Sequence, residues 1–115
     1  MSARRDIELS PELTTKLAQA VSTLRRVANP TRIILFGSHA RGNADPGSDV
    51  DIMIVEPEVA NRFEETVRLS RALRPLRMPV DLIVIGEEPF RERATIPGTV
   101  YFEAATQGRV MYEAA

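Results

Sequence analysis

The feature that most constrains this chain is a pair of short apolar runs, each with acidic residues near its start. The first run, DVDIMIV (49–55), opens with two aspartates spaced by one residue, and the second, VDLIVIG (80–86), has an aspartate at its second position. Both runs are short and rich in β-branched residues, which is typical of buried strands. We therefore predict two strands of one sheet, each with carboxylates close to the point where it begins.

Strand geometry predicts where these carboxylates point. Residues two apart in a strand project from the same face, so Asp49 and Asp51 share a face. Asp81 alternates with apolar neighbours in the same way. The opposite face then carries only apolar residues: Val50, Ile52, Ile54, Val80, Leu82 and Val84. If the two strands are neighbours, the three carboxylates converge at one end of the sheet.

Three carboxylates in one place are unfavourable without a counter-charge. Two like charges about 4 Å apart repel by about 4 kcal/mol at an effective dielectric near 20. Carboxylate oxygens suit Mg²⁺, a hard cation that prefers oxygen ligands and keeps several waters. Two such ions about 3.5–4 Å apart support an in-line phosphoryl displacement. We therefore expect Asp49, Asp51 and Asp81 to form a magnesium site.

A third apolar run, RIILF (32–36), predicts another strand, and it ends in a Gly-Ser turn. Gly37 allows a tight turn and a close backbone approach, and Ser38 offers its N–H and hydroxyl to phosphate oxygens. If a helical turn follows, its free N–H groups favour an anion, and Arg41 can add a charge-assisted hydrogen bond. An anion cradle beside a metal site suits a nucleoside triphosphate bound to Mg²⁺. The whole segment that precedes the aspartates (37–48) is rich in glycine, asparagine, proline and serine, which is typical of a loop.

The remaining sequence predicts helices around the sheet. Residues 10–29 form an apolar stripe with three- or four-residue spacing, preceded by Ser10 as N-cap. A second amphipathic helix is predicted within residues 57–76, with its arginines mostly outward. Its inward residues are predicted to be Val59, Phe63, Val67 and Leu73.

The C-terminal part predicts a helix at about 98–107 that stops at Gly108, followed by a small edge strand at 110–112. The order is then helix, strand, loop, strand, helix, strand, helix. This order predicts an α/β (α+β) fold in which helices pack on a small β-sheet.

Length and composition narrow the class of protein. The 115 residues are expected to form a single domain, 1–115. The chain has no cysteine, which excludes disulfides and thiolate chemistry, and its net charge of −1 gives no global attraction for nucleic acid. The first residues predict no secretory signal, and no apolar stretch of about 20 residues occurs in the sequence. We therefore expect a cytoplasmic protein without a membrane or nucleic-acid partner.

The order of these motifs resembles that of the polymerase-β-like nucleotidyltransferase superfamily. The order is Gly37-Ser38, ten intervening residues, Asp49-x-Asp51 and then Asp81 on a predicted strand. The combination looks most like the minimal, single-domain members, which are often antitoxin partners of helical HEPN toxins. The resemblance covers about residues 33–85, and it implies the nucleotidyltransferase fold with a mixed sheet.

The resemblance also implies roles for six residues. Asp49 and Asp51 match the carboxylates that hold two metal ions, and Asp81 matches the carboxylate that completes the catalytic metal site and helps to activate the attacking hydroxyl. The turn that binds the triphosphate is matched by Gly37, Ser38 and Arg41. The implied reaction is attack of a hydroxyl on the α-phosphorus of a nucleoside triphosphate, with departure of pyrophosphate.

Three functions remain open at this point. The first is an Mg²⁺-dependent enzyme that transfers AMP from ATP to a hydroxyl of a HEPN-type toxin. The second is an antitoxin that neutralises its partner by binding alone, and the third is an enzyme that modifies a small molecule or RNA. The complete carboxylate set favours the first over the second. The short tail after Ile85 disfavours the third, because it leaves no room for a substrate-binding domain. The nucleotide, the acceptor and the oligomeric state stay open.

Two loop residues have alternative interpretations. Arg41 either binds phosphate or pairs with Asp45 on the surface. His39, the single histidine, is interpreted as a solvent-facing or supporting residue, because the carboxylates already account for activation of the hydroxyl.

Overall fold

The computed structural model describes residues 9–45 and 47–115. Its elements are α1 (Pro11–Val27), β1 (Arg32–Phe36), α2 (Ser38–Arg41), β2 (Val50–Glu56), α3 (Arg62–Leu73), a 3₁₀ turn (Arg74–Leu76), β3 (Val80–Gly86), α4 (Glu87–Arg93), α5 (Val100–Gln107) and β4 (Arg109–Glu113). The N-terminal segment 1–8, in which no secretory signal is predicted, lies outside the described residues. None of the described helices is long and apolar enough to cross a membrane.

The four strands form one mixed sheet in the order β3-β2-β1-β4. Strand β1 runs antiparallel to both β2 and β4, whereas β2 and β3 are parallel. The parallel pair is connected through α3, as parallel neighbours require a crossover. The predicted α/β (α+β) class, a small mixed sheet with helices packed on it, is confirmed.

The sheet buries apolar side chains on both faces. One face packs against α1 and α3; its fully buried residues include Leu17, Leu24, Ile33, Leu35, Ile52, Ile54, Leu69 and Val84. The other face packs against α4 and α5 through Ile34, Phe36, Met53, Val55, Ile85, Phe90 and Ala104. The alternation along β1 and β2 follows the period-2 geometry of a strand. The sheet is therefore a central layer with helices on both sides.

Helix α1 begins and packs as its sequence predicts. Ser10 Oγ accepts a hydrogen bond from the Leu13 N–H at 3.1 Å, and proline occupies the first helical position. Such a cap satisfies one of the backbone donors that a helix start leaves unpaired. The buried face of the helix carries Leu17, Ala20 and Leu24.

Helix α3 differs from the prediction in its start and in one inward residue. It begins at Arg62, where Asn61 Oδ1 accepts from the Glu64 N–H at 3.0 Å. Its buried residues are Leu69 and Leu73, while Phe63 is 78% exposed. The prediction that Phe63 faces inward is wrong, because position 63 lies about 120° around the helix from Leu69 at 100° per residue.

The C-terminal elements are confirmed in part. The helix predicted at about 98–107 is α5, with Thr99 Oγ1 accepting from the Phe102 N–H at 3.1 Å, and the predicted edge strand is β4. Helix α4 was not among the predicted elements. It contains Pro89 in its first turn, where no backbone donor is required, and it is anchored by the buried Phe90.

Both edges of the sheet carry local irregularities. On β3, the Val84 carbonyl accepts a hydrogen bond from Arg62 Nε at 2.8 Å. On the opposite edge, the pairing of β4 with β1 shifts register between Ile33 and Ile34. These features make neither edge a regular, open ladder.

Candidate active site

Asp51 and Asp81 occupy directly opposed positions on the parallel strands β2 and β3. The residues that follow them, Ile52 and Leu82, are buried in the core against α1 and α3, so the two carboxylates project from the other face. This confirms the predicted shared face for Asp51 and Asp81. Asp49 lies one residue before β2, so the strand starts one position later than predicted. Asp49 and Asp81 are exposed and Asp51 is half-buried.

The three aspartates concentrate negative charge at the start of β2 and β3. Partial burial raises the pKa of Asp51, and the charges of Asp81, Asp49 and Glu103 raise it further. His39 acts in the opposite direction as the smallest contribution. A carboxylate that is hard to ionise among other carboxylates favours a cationic ligand.

Gly37 makes room for the Asp51 carboxylate. Phe36 is paired with Asp51 across β1 and β2, so the chain turns directly beside that side chain. A Cβ atom at position 37 would clash with Asp51 Oδ2 and would stand only 3.0 Å from its Cγ. Gly37 also has φ +77°, a conformation that residues with a side chain rarely adopt. Glycine is therefore required here both for the turn and for the close approach predicted from the sequence.

The turn after Gly37 is helical, as predicted. The Arg41 N–H donates to the Gly37 carbonyl at 3.0 Å, and the Gly42 N–H donates to the Ser38 carbonyl at 2.9 Å. Ala40 is fully buried in the core beneath this turn. The single turn of α2 therefore holds Ser38 and Arg41 on a fixed backbone beside the aspartates.

Arg41 pairs with a residue that the sequence did not single out. Its Nη1 donates to Glu103 Oε2 at 2.5 Å, so the structure gives it a partner other than Asp45. Glu103 lies in the first turn of α5. The only sequence signal for it is an acidic residue inside a predicted helix, because the contact depends on how α5 packs against the sheet.

His39 connects the two ends of the loop that separates α2 from β2. Its Nε2 donates to the Ser48 carbonyl at 3.2 Å, one residue before Asp49. The Ser48 N–H donates to the Asp45 carbonyl at 2.9 Å, and the Asp45 N–H donates to Ser48 Oγ at 3.0 Å. The half-buried His39 thus supports the strand entry that carries the aspartates, in keeping with its interpretation as a supporting residue.

The donor chemistry of this site fits magnesium. Among residues 9–45 and 47–115, no group of three or more His, Asp or Glu side chains is arranged to hold a metal ion by itself. Mg²⁺ is usually bound through one or two carboxylates plus substrate phosphates and water. Asp51 with Asp81 or Asp49 supplies such carboxylates. Besides burial, the negative charges of neighbouring acids raise the pKa of Asp51, and a bound cation would neutralise these charges.

A cavity of about 550 Å³ lies beside the loop, between the start of α1 and the entry to β3. It is lined by both ends of the loop, with His39 and Ser48, and by Leu13 and Met78. The three aspartates do not line it. The carboxylate cluster therefore lies outside this cavity, and two of its three side chains, Asp49 and Asp81, are exposed.

Residues 15–105 match the model of the nucleotidyltransferase domain family. The chain belongs to this family. A Methanocaldococcus jannaschii protein, provisionally named a protein adenylyltransferase, is 34% identical to this nucleotidyltransferase over 82 residues, which is 70% of this chain and 77% of the relative.

Solved structures share the fold of this nucleotidyltransferase. A minimal nucleotidyltransferase superposes with a TM-score of 0.59 at 23% identity, covering 84% of this chain and 90% of the other. A toxin–antitoxin structure with AMP-PNP gives a TM-score of 0.56 at 23% identity, covering 91% of this chain and 75% of the other. The predicted nucleotidyltransferase family and the predicted enzyme class are confirmed.

Proposed function

We propose that this nucleotidyltransferase uses Mg²⁺ and ATP to transfer AMP to a hydroxyl group of a partner protein. The proposed partner is a HEPN-type toxin in the cytoplasm, so that the chain acts as its antitoxin. The observation that carries the proposal is the opposed pair Asp51 and Asp81 at an open sheet end, directly beside the Gly37 turn. This arrangement brings oxygen ligands next to a backbone turn that suits phosphate.

The similar proteins support this choice of substrate and partner. The M. jannaschii relative carries the name of a protein adenylyltransferase, and a toxin–antitoxin structure with an ATP analogue shares the fold. Both favour a protein as the carrier of the acceptor hydroxyl over a small-molecule substrate.

The proposed chemistry is a single displacement. The acceptor hydroxyl oxygen forms a bond to the α-phosphorus of ATP, and the bond from that phosphorus to the oxygen bridging the α- and β-phosphates breaks. AMP is transferred and pyrophosphate leaves, while Asp81 accepts the hydroxyl proton. Asp49, Asp51 and Asp81, together with the substrate phosphates and water, would hold magnesium, which would neutralise the charge of the triphosphate. The proposed task of Gly37, Ser38 and Arg41 is to bind and orient the phosphates.

The openness of the site explains why a protein partner is proposed. Asp49 and Asp81 are exposed, and Asp51 is only half-buried. Holding two reactants in reactive geometry can lower a barrier by about 7–11 kcal/mol. The described residues provide no wall over the carboxylates, so a docked partner is the proposed source of that orientation.

The test is transfer of labelled AMP from ATP to a HEPN-type protein encoded beside this chain, followed by intact mass spectrometry. The wild type should add AMP units to the partner in the presence of Mg²⁺ and lose the activity in EDTA. Asp51→Asn should slow transfer on the order of 10²–10³-fold, the cost of removing one charge-stabilising group. Its melting temperature should not fall, since a repelled carboxylate is neutralised.

A matched control is Glu88→Asn, an exposed acid on α4 beyond the other end of β3. It should transfer AMP at the wild-type rate. Undiminished transfer by an Asp49→Asn, Asp51→Asn double variant would contradict the proposed chemistry. Efficient modification of free nucleotides or RNA, without any gain from the partner, would contradict the proposed acceptor.

A further inference from the structure

The ion pair between Arg41 and Glu103 joins two distant parts of the chain at the border of the carboxylate cluster. Glu103 is fixed by its helix: Thr99 caps α5, and the neighbouring Ala104 is buried against the sheet. Arg41 is fixed at its backbone by the turn of α2. The pair therefore connects two rigid supports, and the arginine side chain is the flexible part of the connection.

Glu103 lies within electrostatic reach of the aspartates. It binds Arg41 of the turn that follows Gly37, beside the Asp51 carboxylate, and its charge is among those that raise the pKa of Asp51. The arginine side chain is 40% exposed, so a ligand at the cluster can reach it.

The geometry points to Glu103 as a positioning residue that holds the Arg41 guanidinium at the edge of the carboxylate cluster, ready to bind the triphosphate. This inference rests on the proposed function. A guanidinium has five N–H donors, and the contact with Glu103 is made from Nη1. Within the described part of the chain, the other nitrogens have no acceptor, so they are available to phosphate oxygens.

The energetic effect of this positioning has a defined sign. An unrestrained arginine loses rotamer freedom when it binds a phosphate, and fixing it beforehand improves affinity by about two- to tenfold. If Glu103 instead acted mainly as a competing anion, its removal would strengthen nucleotide binding. The direction of the change in affinity therefore separates the two roles.

The experiment measures the Kd of a non-hydrolysable ATP analogue with Mg²⁺ by calorimetry. Glu103→Ala should bind the analogue about two- to tenfold more weakly than the wild type. Glu103→Gln keeps an acceptor oxygen for Arg41, so it should bind more tightly than Glu103→Ala. In the Arg41→Ala background, adding Glu103→Ala should cause no further loss. The control Glu88→Ala removes the same charge at the far end of β3, about 16 Å along the strand from Asp81, and should leave the Kd unchanged.

A second readout is independent of nucleotide. The Arg41 Nε–H signal of the free protein should show increased side-chain mobility in Glu103→Ala and not in Glu88→Ala. An unchanged Arg41 signal, or equal or tighter binding by Glu103→Ala, would overturn the inference while leaving the proposed function intact. An equal loss in the Arg41→Ala background would also overturn it, since Glu103 would then act by another route. A wild type that does not bind the analogue would overturn the proposed function and this inference together.

Discussion

At the scale of single residues, the site depends on the mutual fit of Gly37 and Asp51. The carboxylate occupies the space that a side chain at position 37 would need. The backbone there also has a positive φ, so two separate constraints select glycine. A Gly-Ser pair in a sequence is uninformative by itself, but here the nearby Asp51 carboxylate explains why position 37 must be glycine.

Gly37→Ala is predicted to destabilise the fold by more than the positive φ alone would cost. A strained backbone conformation costs on the order of 1–3 kcal/mol, and the clash with Asp51 adds to it. Gly98→Ala is the matched control, because Gly98 has φ +91° and a Cβ there would meet no described atom within 4 Å apart from its chain neighbours. Urea denaturation of both variants measures the difference.

A second variant identifies the cause of that difference. Adding Asp51→Ala to Gly37→Ala removes the carboxylate that meets the new Cβ, so part of the lost stability should return. Equal destabilisation by Gly37→Ala and Gly98→Ala would show that the close approach of Asp51 to position 37 does not affect the free energy of unfolding.

At the scale of elements, the local sequence pattern was enough to predict features that depend on residues close together in the chain. The alternation around Asp51 and Asp81 predicted their common face, and the cap at Ser10 predicted the start of α1. The start of α3 was not predicted, because Asn61 caps the helix several residues later than Pro57. The contact of Glu103 with Arg41 could not be predicted either, since it depends on tertiary packing over 62 positions.

The revised face of α3 gives a prediction within one helix. Leu69→Ala should destabilise the protein by about 2–5 kcal/mol, the usual cost of truncating a buried leucine, because Leu69 is fully buried. Phe63→Ala should change stability by less than about 0.5 kcal/mol, as expected for an exposed position. Chemical denaturation with the two variants in parallel checks this. A larger loss for Phe63→Ala would restore the inward orientation predicted from the sequence pattern.

At the scale of the whole molecule, a buried acid connects the sheet to both helices of one face. Glu56 ends β2 and is buried, and its Oε2 has no hydrogen-bond partner among the described residues. Burial, followed by the hydrogen bond with Glu65, raises the pKa of Glu56 to about 7. Arg68 binds Glu65 at 2.7 Å and donates to the Val27 carbonyl of α1 at 2.6 Å. Stability of the fold is therefore coupled to the protonation of Glu56.

This coupling predicts a pH dependence of unfolding. A folded-state pKa of about 7, against an ordinary value of 4.5, means that the contribution of protonated Glu56 is complete below about pH 4.5. It is lost as the pH rises toward 7, by on the order of 3 kcal/mol at 1.36 kcal/mol per pH unit. Glu56→Gln cannot ionise, so it should be more stable than the wild type at pH 8 and similar at pH 4.5.

The measurement is the free energy of unfolding of both proteins across this pH range. The difference between the two curves reports Glu56 together with its hydrogen-bonded partner Glu65, whose pKa is lowered first by Arg68 and also by Glu56. Parallel curves for wild type and Glu56→Gln would show that folding does not raise the pKa of Glu56.

The irregular hydrogen bonding at the two sheet edges, β3 and β4, has a consequence for self-association. An exposed, regular edge strand is a template for intermolecular pairing and aggregation. On β3 the Val84 carbonyl is already occupied by Arg62, and on the other side the five-residue β4 is interrupted by its register shift and carries charged residues at both ends. The open surface at the aspartates can therefore stay exposed to solvent at high protein concentration with less tendency of the sheet to pair edge to edge.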